Sequence, residues 1–126
     1  MDSLSTQAAV GVALDALSLR QQTLATNLAN VNTEGYRARG VDFEQALRDA
    51  LQGIAEEPGA ALEQLSHLQE SLRSGAFTHA ARSAGVDLDI ELAQMSETVL
   101  RYRALIEGLG KYSSLTHMAV TGEVKG

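Results

Sequence analysis

Hydrophobic positions near the start of the chain step by four and three in alternation. Val10, Leu14, Leu17, Leu24, Leu28 and Val31 fall on one stripe, interrupted only by Gln21. A second stripe near the other end runs through Leu88, Leu92, Met95, Val99, Tyr102, Ile106 and Leu109, then fades at Ser113 and Thr116. Such spacing is the heptad signature of a helix with one apolar seam. No proline interrupts either run, so the pattern predicts helices over about residues 4–31 and 87–119. The stripes alone fit ordinary amphipathic helices lying on their own core. Length points further: at 1.5 Å per residue the helices would be roughly 40 and 50 Å long. A compact chain of this size has a radius of gyration of about 14 Å. The pair would overhang any globule, and flanking apolar residues such as Leu105, Leu115 and Met118 would need neighbours.

Between the two long helices, Gly40–Leu47 (GVDFEQAL) and Gly85–Leu92 (GVDLDIEL) share one pattern. Each predicts a helix start, with Asp42 or Asp87 as N-cap, an acid in the first turn, and Gln45 closing a capping box in the first copy. The "EEPG" at 56–59 ends one short helix; Leu62, Leu65, Leu68 and Leu72 predict a second, stopped by Gly75. Residues 75–85 have little periodicity and suggest an extended or mobile linker. The expected fold class is therefore mainly α. Long N- and C-terminal helices pack as a coiled-coil-like pair, with short helices and a loop or extended segment between them. The chain divides into residues 1–35 (helix and turn), 36–85 (middle segment) and 86–126 (C-terminal helix), the first and last forming one helical core domain.

Composition narrows the function. The chain has 126 residues, one domain's worth, and carries two Phe, three Tyr and no Trp, so its core must come from aliphatic residues. A net charge of −6 with no basic stripe argues against nucleic acid. The apolar run Ala8–Leu14 is far short of the ~20 residues that cross a bilayer, and the N-terminus lacks the basic start of a cleaved signal peptide. Absence of cysteine removes disulfide and thiol chemistry. His67, His79 and His117 have no ligand-like pairing, the acids sit at helix starts and on polar faces, and no nucleophile elbow or phosphate loop occurs. No catalytic group, metal site or cofactor is expected.

The segment from Asn27 to Tyr36, NLANVNTEGY, combines Asn27, Asn30, Asn32, Thr33, Gly35 and Tyr36. Asparagine and glycine tolerate left-handed backbone and end helices, and Tyr36 is free to anchor the exit of the chain. In order, these residues closely resemble the signature of the bacterial flagellar rod and hook family, whose N-terminal helix ends in an Asn-Leu-Ala-Asn-x-x-Thr-Pro-Gly-Tyr turn. Here Glu34 replaces the proline. The resemblance covers about residues 14–47 and 86–118. It implies a structural subunit of the basal-body rod, forming a helical tube that transmits torque and lines part of the export channel. The implied partners are copies of itself, other rod proteins, the membrane-ring and rod junction proteins, and the flagellar type III export apparatus, which would deliver the chain to the periplasmic rod without a cleaved signal. An export chaperone binding a client helix is the alternative, although a chaperone has no need of the asparagine-rich turn.

Overall fold

The computed structural model of the chain describes residues 2–122. Among the positions named above, the side chains of Ser113, Leu115 and Thr116 lie outside the described ones. Helix α1 spans Ser3–Ala29 and begins where the Asp2 carboxylate accepts from the Ser5 N–H at 2.7 Å. That bond holds the Asp2 carboxyl below its usual range. Strand β1 (Arg39–Val41) follows, then helix α2 (Glu44–Glu56), a single 3-10 turn at Pro58–Ala60, helix α3 (Ala61–Arg73), strand β2 (Thr78–Ala80) and helix α4 (Leu88–Thr121). The mainly helical fold with two long terminal helices is as expected. Both long helices are displaced by only one or two residues from their predicted limits.

The core lies where the sequence stripes do not place it. Ala9, Val12, Ala16 and Leu17 of α1 form one buried cluster with Val41, Phe43, Ile54, Ala61, Leu65, Leu68 and Leu72. Three alanines, Ala9, Ala13 and Ala16, stand on the buried face of α1. The short side chains of Ala9 and Ala16 let α3 and its larger leucines approach the α1 backbone, at little cost in helix propensity. The buried face, Ser5, Ala9, Val12, Ala13, Ala16, Leu17, Leu24 and Asn27, keeps Leu17 and Leu24 of the predicted stripe but is rotated from the rest, and Val10, Leu14 and Leu28 are only partly covered. Val31 lies beyond the end of α1 and is exposed.

The middle segment departs from expectation in two ways. Residues 75–85 contain β2, paired antiparallel with β1 in the register Arg39↔Ala80, Gly40↔His79, Val41↔Thr78. Strands of three residues leave no alternation to detect. Asp42 is also not the cap of α2. The flanking position is Phe43, with helical backbone and no side-chain cap. The Asp42 N–H donates to the Phe77 carbonyl at 2.9 Å, extending the β-ribbon, and its carboxylate meets His79 Nε2 at 2.8 Å. Ribbon pairing and the histidine draw Asp42 from the helix. Glu44 Oε2 accepts the Phe43 N–H instead, at 3.2 Å, and Gln45 bonds Asp49 and Arg48 rather than closing a box. Asp87 does cap α4, accepting from the Asp89 and Ile90 N–H groups.

Candidate assembly interface

The turn after α1 is organised around one buried side chain. Asn27 is fully buried. Its Oδ1 accepts from the Tyr36 hydroxyl and the Arg39 N–H, each at 2.9 Å. Its Nδ2 donates to the Arg39 carbonyl at 2.7 Å and to Glu91 Oε2 at 3.0 Å. An amide side chain offers two donor hydrogens and two acceptor lone pairs, so all four are used. One residue thereby ties the end of α1 to the turn exit, to β1 and to α4. Around it, Asn30 ends α1 and sends Nδ2 to the Thr26 carbonyl, while Thr33 Oγ1 donates to Asn30 Oδ1. The Tyr36 N–H donates to the Thr33 carbonyl at 3.2 Å, and Gly35, between them, has φ +77°. Left-handed backbone occurs at Gly35 and not at Asn30 or Asn32; Asn32 is simply exposed. The Tyr36 carbonyl accepts from the Gly85 N–H at 2.8 Å, so the exit also secures the segment leading into α4.

A second polar cluster stands nearby. Arg20 of α1 donates to the Val41 carbonyl, pairs with Glu44 and lies over the Phe43 ring, 4.6 Å from its centroid. Arg101 of α4 approaches the same Glu44 at 3.6 Å and Glu97 at 2.6 Å. Burial pushes the Glu44 carboxyl up, but hydrogen bonding and charge from Arg20, together with backbone N–H groups, bring it net below the usual carboxylate range.

Helix α4 meets α1 through buried polar residues as well as apolar ones. The two run antiparallel, with Asn27 against Glu91 near one end and Leu17 beside Tyr102 further along. Among the described side chains of α4 the buried ones are Glu91 and Thr98, with Leu105 reaching the core cluster. The predicted seam faces elsewhere. Leu88, Leu92, Val99, Tyr102 and Ile106 are exposed, Leu88, Leu92 and Ile106 by nearly half, and only Met95 and Leu109 are partly covered. Most of the α4 seam is thus left uncovered by the chain, while Met95, Val99 and Tyr102 border α1 at its inner edge. Between it and α1 runs an apolar groove of about 250 Å³ lined by Leu17, Gln21, Val99 and Tyr102. Gln21 Oε1 is buried there with no hydrogen-bond partner.

Glu91, Thr98, Arg20 and Arg101 are the site residues that sequence reasoning missed. Residues every seven positions on α4, Glu91 and Thr98 with Leu105 next, were the available signal. It was hidden by the stronger apolar stripe beside it.

Residues 8–37, the second half of α1 and its turn included, match a family model described as flagella basal body rod protein. Among curated relatives, the flagellar basal body rod protein FlgB of Salmonella typhimurium is 33% identical over 110 residues, covering 78% of this chain and 80% of its own. FlgB of Proteus mirabilis is 30% identical over 105 residues, covering 71% and 77%. FlgB of Bacillus subtilis is 25% identical over 124 residues, covering 88% and 90%. These alignments extend beyond the turn signature, which by itself sits where Asn27, Gly35 and Tyr36 make the contacts just described. The chain belongs to the FlgB family of flagellar basal body rod proteins.

Proposed function

We propose that the chain is a structural subunit of the membrane-proximal rod, with α1 and α4 contributing to the wall of a helical tube and the outer seam of α4 covered by neighbouring rod subunits. The observation that carries this reading is the orientation of α4: Glu91 and Thr98 face α1, while Leu88, Leu92 and Ile106 are exposed by nearly half. A row of exposed aliphatic residues at heptad spacing is costly for an isolated molecule and favourable once another helix packs on it. The buried hub at Asn27 supports the torque-bearing role, because it fixes the angle between α1, the ribbon and α4 without relying on mobile surface contacts. The expected neighbours are other rod proteins and further copies of this chain, with the membrane ring, the rod junction protein and the export apparatus at the inner end. Delivery runs through the flagellar export apparatus. No helix among the described residues is long and apolar enough to cross a membrane.

Leu92→Asp tests the reading. An exposed leucine contributes little to the fold of the isolated chain, so helicity and urea midpoint should stay near those of the unsubstituted protein. Incorporation into purified basal bodies, and motility of a strain relying on the variant, should be lost. Normal swimming with normal incorporation would remove the outer seam from the assembly surface.

A further inference from the structure

Leu17, Gln21 and Leu24 are successive steps of the α1 stripe, and the two leucines are buried, 3% and 2% exposed. Gln21 breaks the stripe at the place where α1 passes the α4 seam. It lines the groove shared with Leu17, Val99 and Tyr102 and also an adjoining one that contains Met95 and Leu100; Val99 lines both as well, so Gln21 stands opposite it. Among the described residues, Gln21 Oε1 is the one buried side-chain polar atom without a hydrogen-bond partner. The other polar side chains buried between α1 and α4 are bonded: Asn27 Nδ2 donates to Glu91 Oε2, and Thr98 Oγ1 donates to the Gln94 carbonyl at 2.7 Å.

The Gln21 oxygen loses its hydration and gains no bond in return, so it lowers the stability of the single chain. A leucine at the same step would continue the stripe and let Val99 and Tyr102 settle onto α1. We propose that Gln21 is a specificity-determining residue: its amide keeps the inner edge of the α4 seam, Met95, Val99 and Tyr102, from closing onto α1, and so leaves that edge uncovered in the single chain. Val99 and Tyr102 are each 36% exposed, as an edge held partly open requires. A single polar group in an apolar seam acts in this way in coiled coils, where it fixes register and partner while lowering stability. The proposal rests on the reading of the α4 seam as the assembly surface, and adds the residue that stops the chain from burying that seam against itself.

The chain has no cysteine, so Val99→Cys places a single thiol on the edge. In the purified full chain, Gln21→Leu and Gln21→Met should each raise the urea midpoint and slow alkylation of that thiol several-fold; the methionine keeps the length of the glutamine side chain. Gln22→Leu, exposed and one residue further on, should do neither. In cells the more stable Gln21→Leu chain should enter purified basal bodies several-fold less well. A glutamine that only packs would not combine higher stability of the variant with poorer assembly. A lower or unchanged midpoint for both Gln21 variants, unchanged alkylation, or an equal gain from Gln22→Leu overturns the proposal. So does normal incorporation of Gln21→Leu beside failure of Leu92→Asp, which leaves the outer seam standing as the assembly surface. Normal incorporation of both overturns the proposal and the reading of the seam together.

Discussion

Asn27 Nδ2 donates to Glu91 Oε2 at 3.0 Å, a buried hydrogen bond between residues 64 apart that joins the last turn of α1 to the first turns of α4. The amide is the one side-chain type that serves here, because the same group must donate to a carboxylate and a carbonyl while accepting from a phenol and a backbone N–H. Asn27→Asp exchanges the donor for a second carboxylate facing Glu91. The expected loss is about 3 kcal/mol or more, since buried groups are left unpaired and like charges meet. Glu91→Gln keeps an acceptor for Nδ2 and should cost about 1 kcal/mol or less. Urea unfolding at neutral pH compares the two. Equal losses would mean that the carboxylate, rather than the amide, organises the junction.

This junction shows how far the sequence could be followed. The type and limits of both long helices, the Asp87 cap and the left-handed turn at Gly35 were legible because each depends on neighbours close in the chain. The orientation of α1 was not. Hydrophobic spacing ranks Leu14 above Ala9, yet a helix that must accept the leucines of α3 buries its small residues. Nor does a heptad stripe on α4 say whether the seam meets α1 or a partner outside the chain. Asn27 with Glu91 joins α4 to α1, and Arg101 with Glu44 joins it to α2; pairs so far apart in the chain carry no local signal. The β-ribbon was invisible for the same reason. It also took Asp42 from its expected cap by pairing it with Phe77 and His79.

At the turn, Thr33 and Tyr36 are joined by a four-residue hydrogen bond with Gly35 left-handed in the third position, the arrangement that favours proline second and glycine third. A Cβ at Gly35 would meet no atom within 4 Å, so any penalty there comes from the backbone alone. Gly35→Val should lose about 1 to 2 kcal/mol, and Gly35→Asn less, because asparagine tolerates this conformation better. Glu34→Pro should gain about 0.4 to 1 kcal/mol by restricting the unfolded chain. Thermal unfolding should rank Glu34→Pro above the unsubstituted chain, followed by Gly35→Asn and then Gly35→Val. A destabilised Glu34→Pro would mean that the second turn position is not compatible with proline.

The Glu44 carboxyl, held net low by Arg20 and backbone N–H groups despite partial burial, makes stability depend on pH in one direction. Its folded pKa lies below that of the unfolded chain, so its contribution is present above the ordinary glutamate range and is lost as pH falls through the lowered value. Between pH 7 and pH 3 the urea midpoint should therefore fall further for the unsubstituted chain than for Glu44→Gln. Identical drops would show that Arg20 and Arg101 gain nothing from the charge on Glu44.

The rotation of the helices also reverses the usual weighting of residue size. Ala16 has no exposed surface and stands in the cluster between α1 and α3, whereas Leu92 is half exposed on the outer seam. Ala16→Leu adds three carbons where the packed helices leave no room, and should destabilise the chain by about 1 to 3 kcal/mol. Leu92→Ser removes a larger apolar side chain, yet should change the stability of the dilute monomer by no more than about 0.5 kcal/mol. If α1 and α4 instead met through the stripes that the sequence displays, Leu92 would be core and Ala16 would face outward. The magnitudes would then exchange. Urea midpoints at low protein concentration separate the two arrangements, because only the contact face inside the monomer contributes under those conditions.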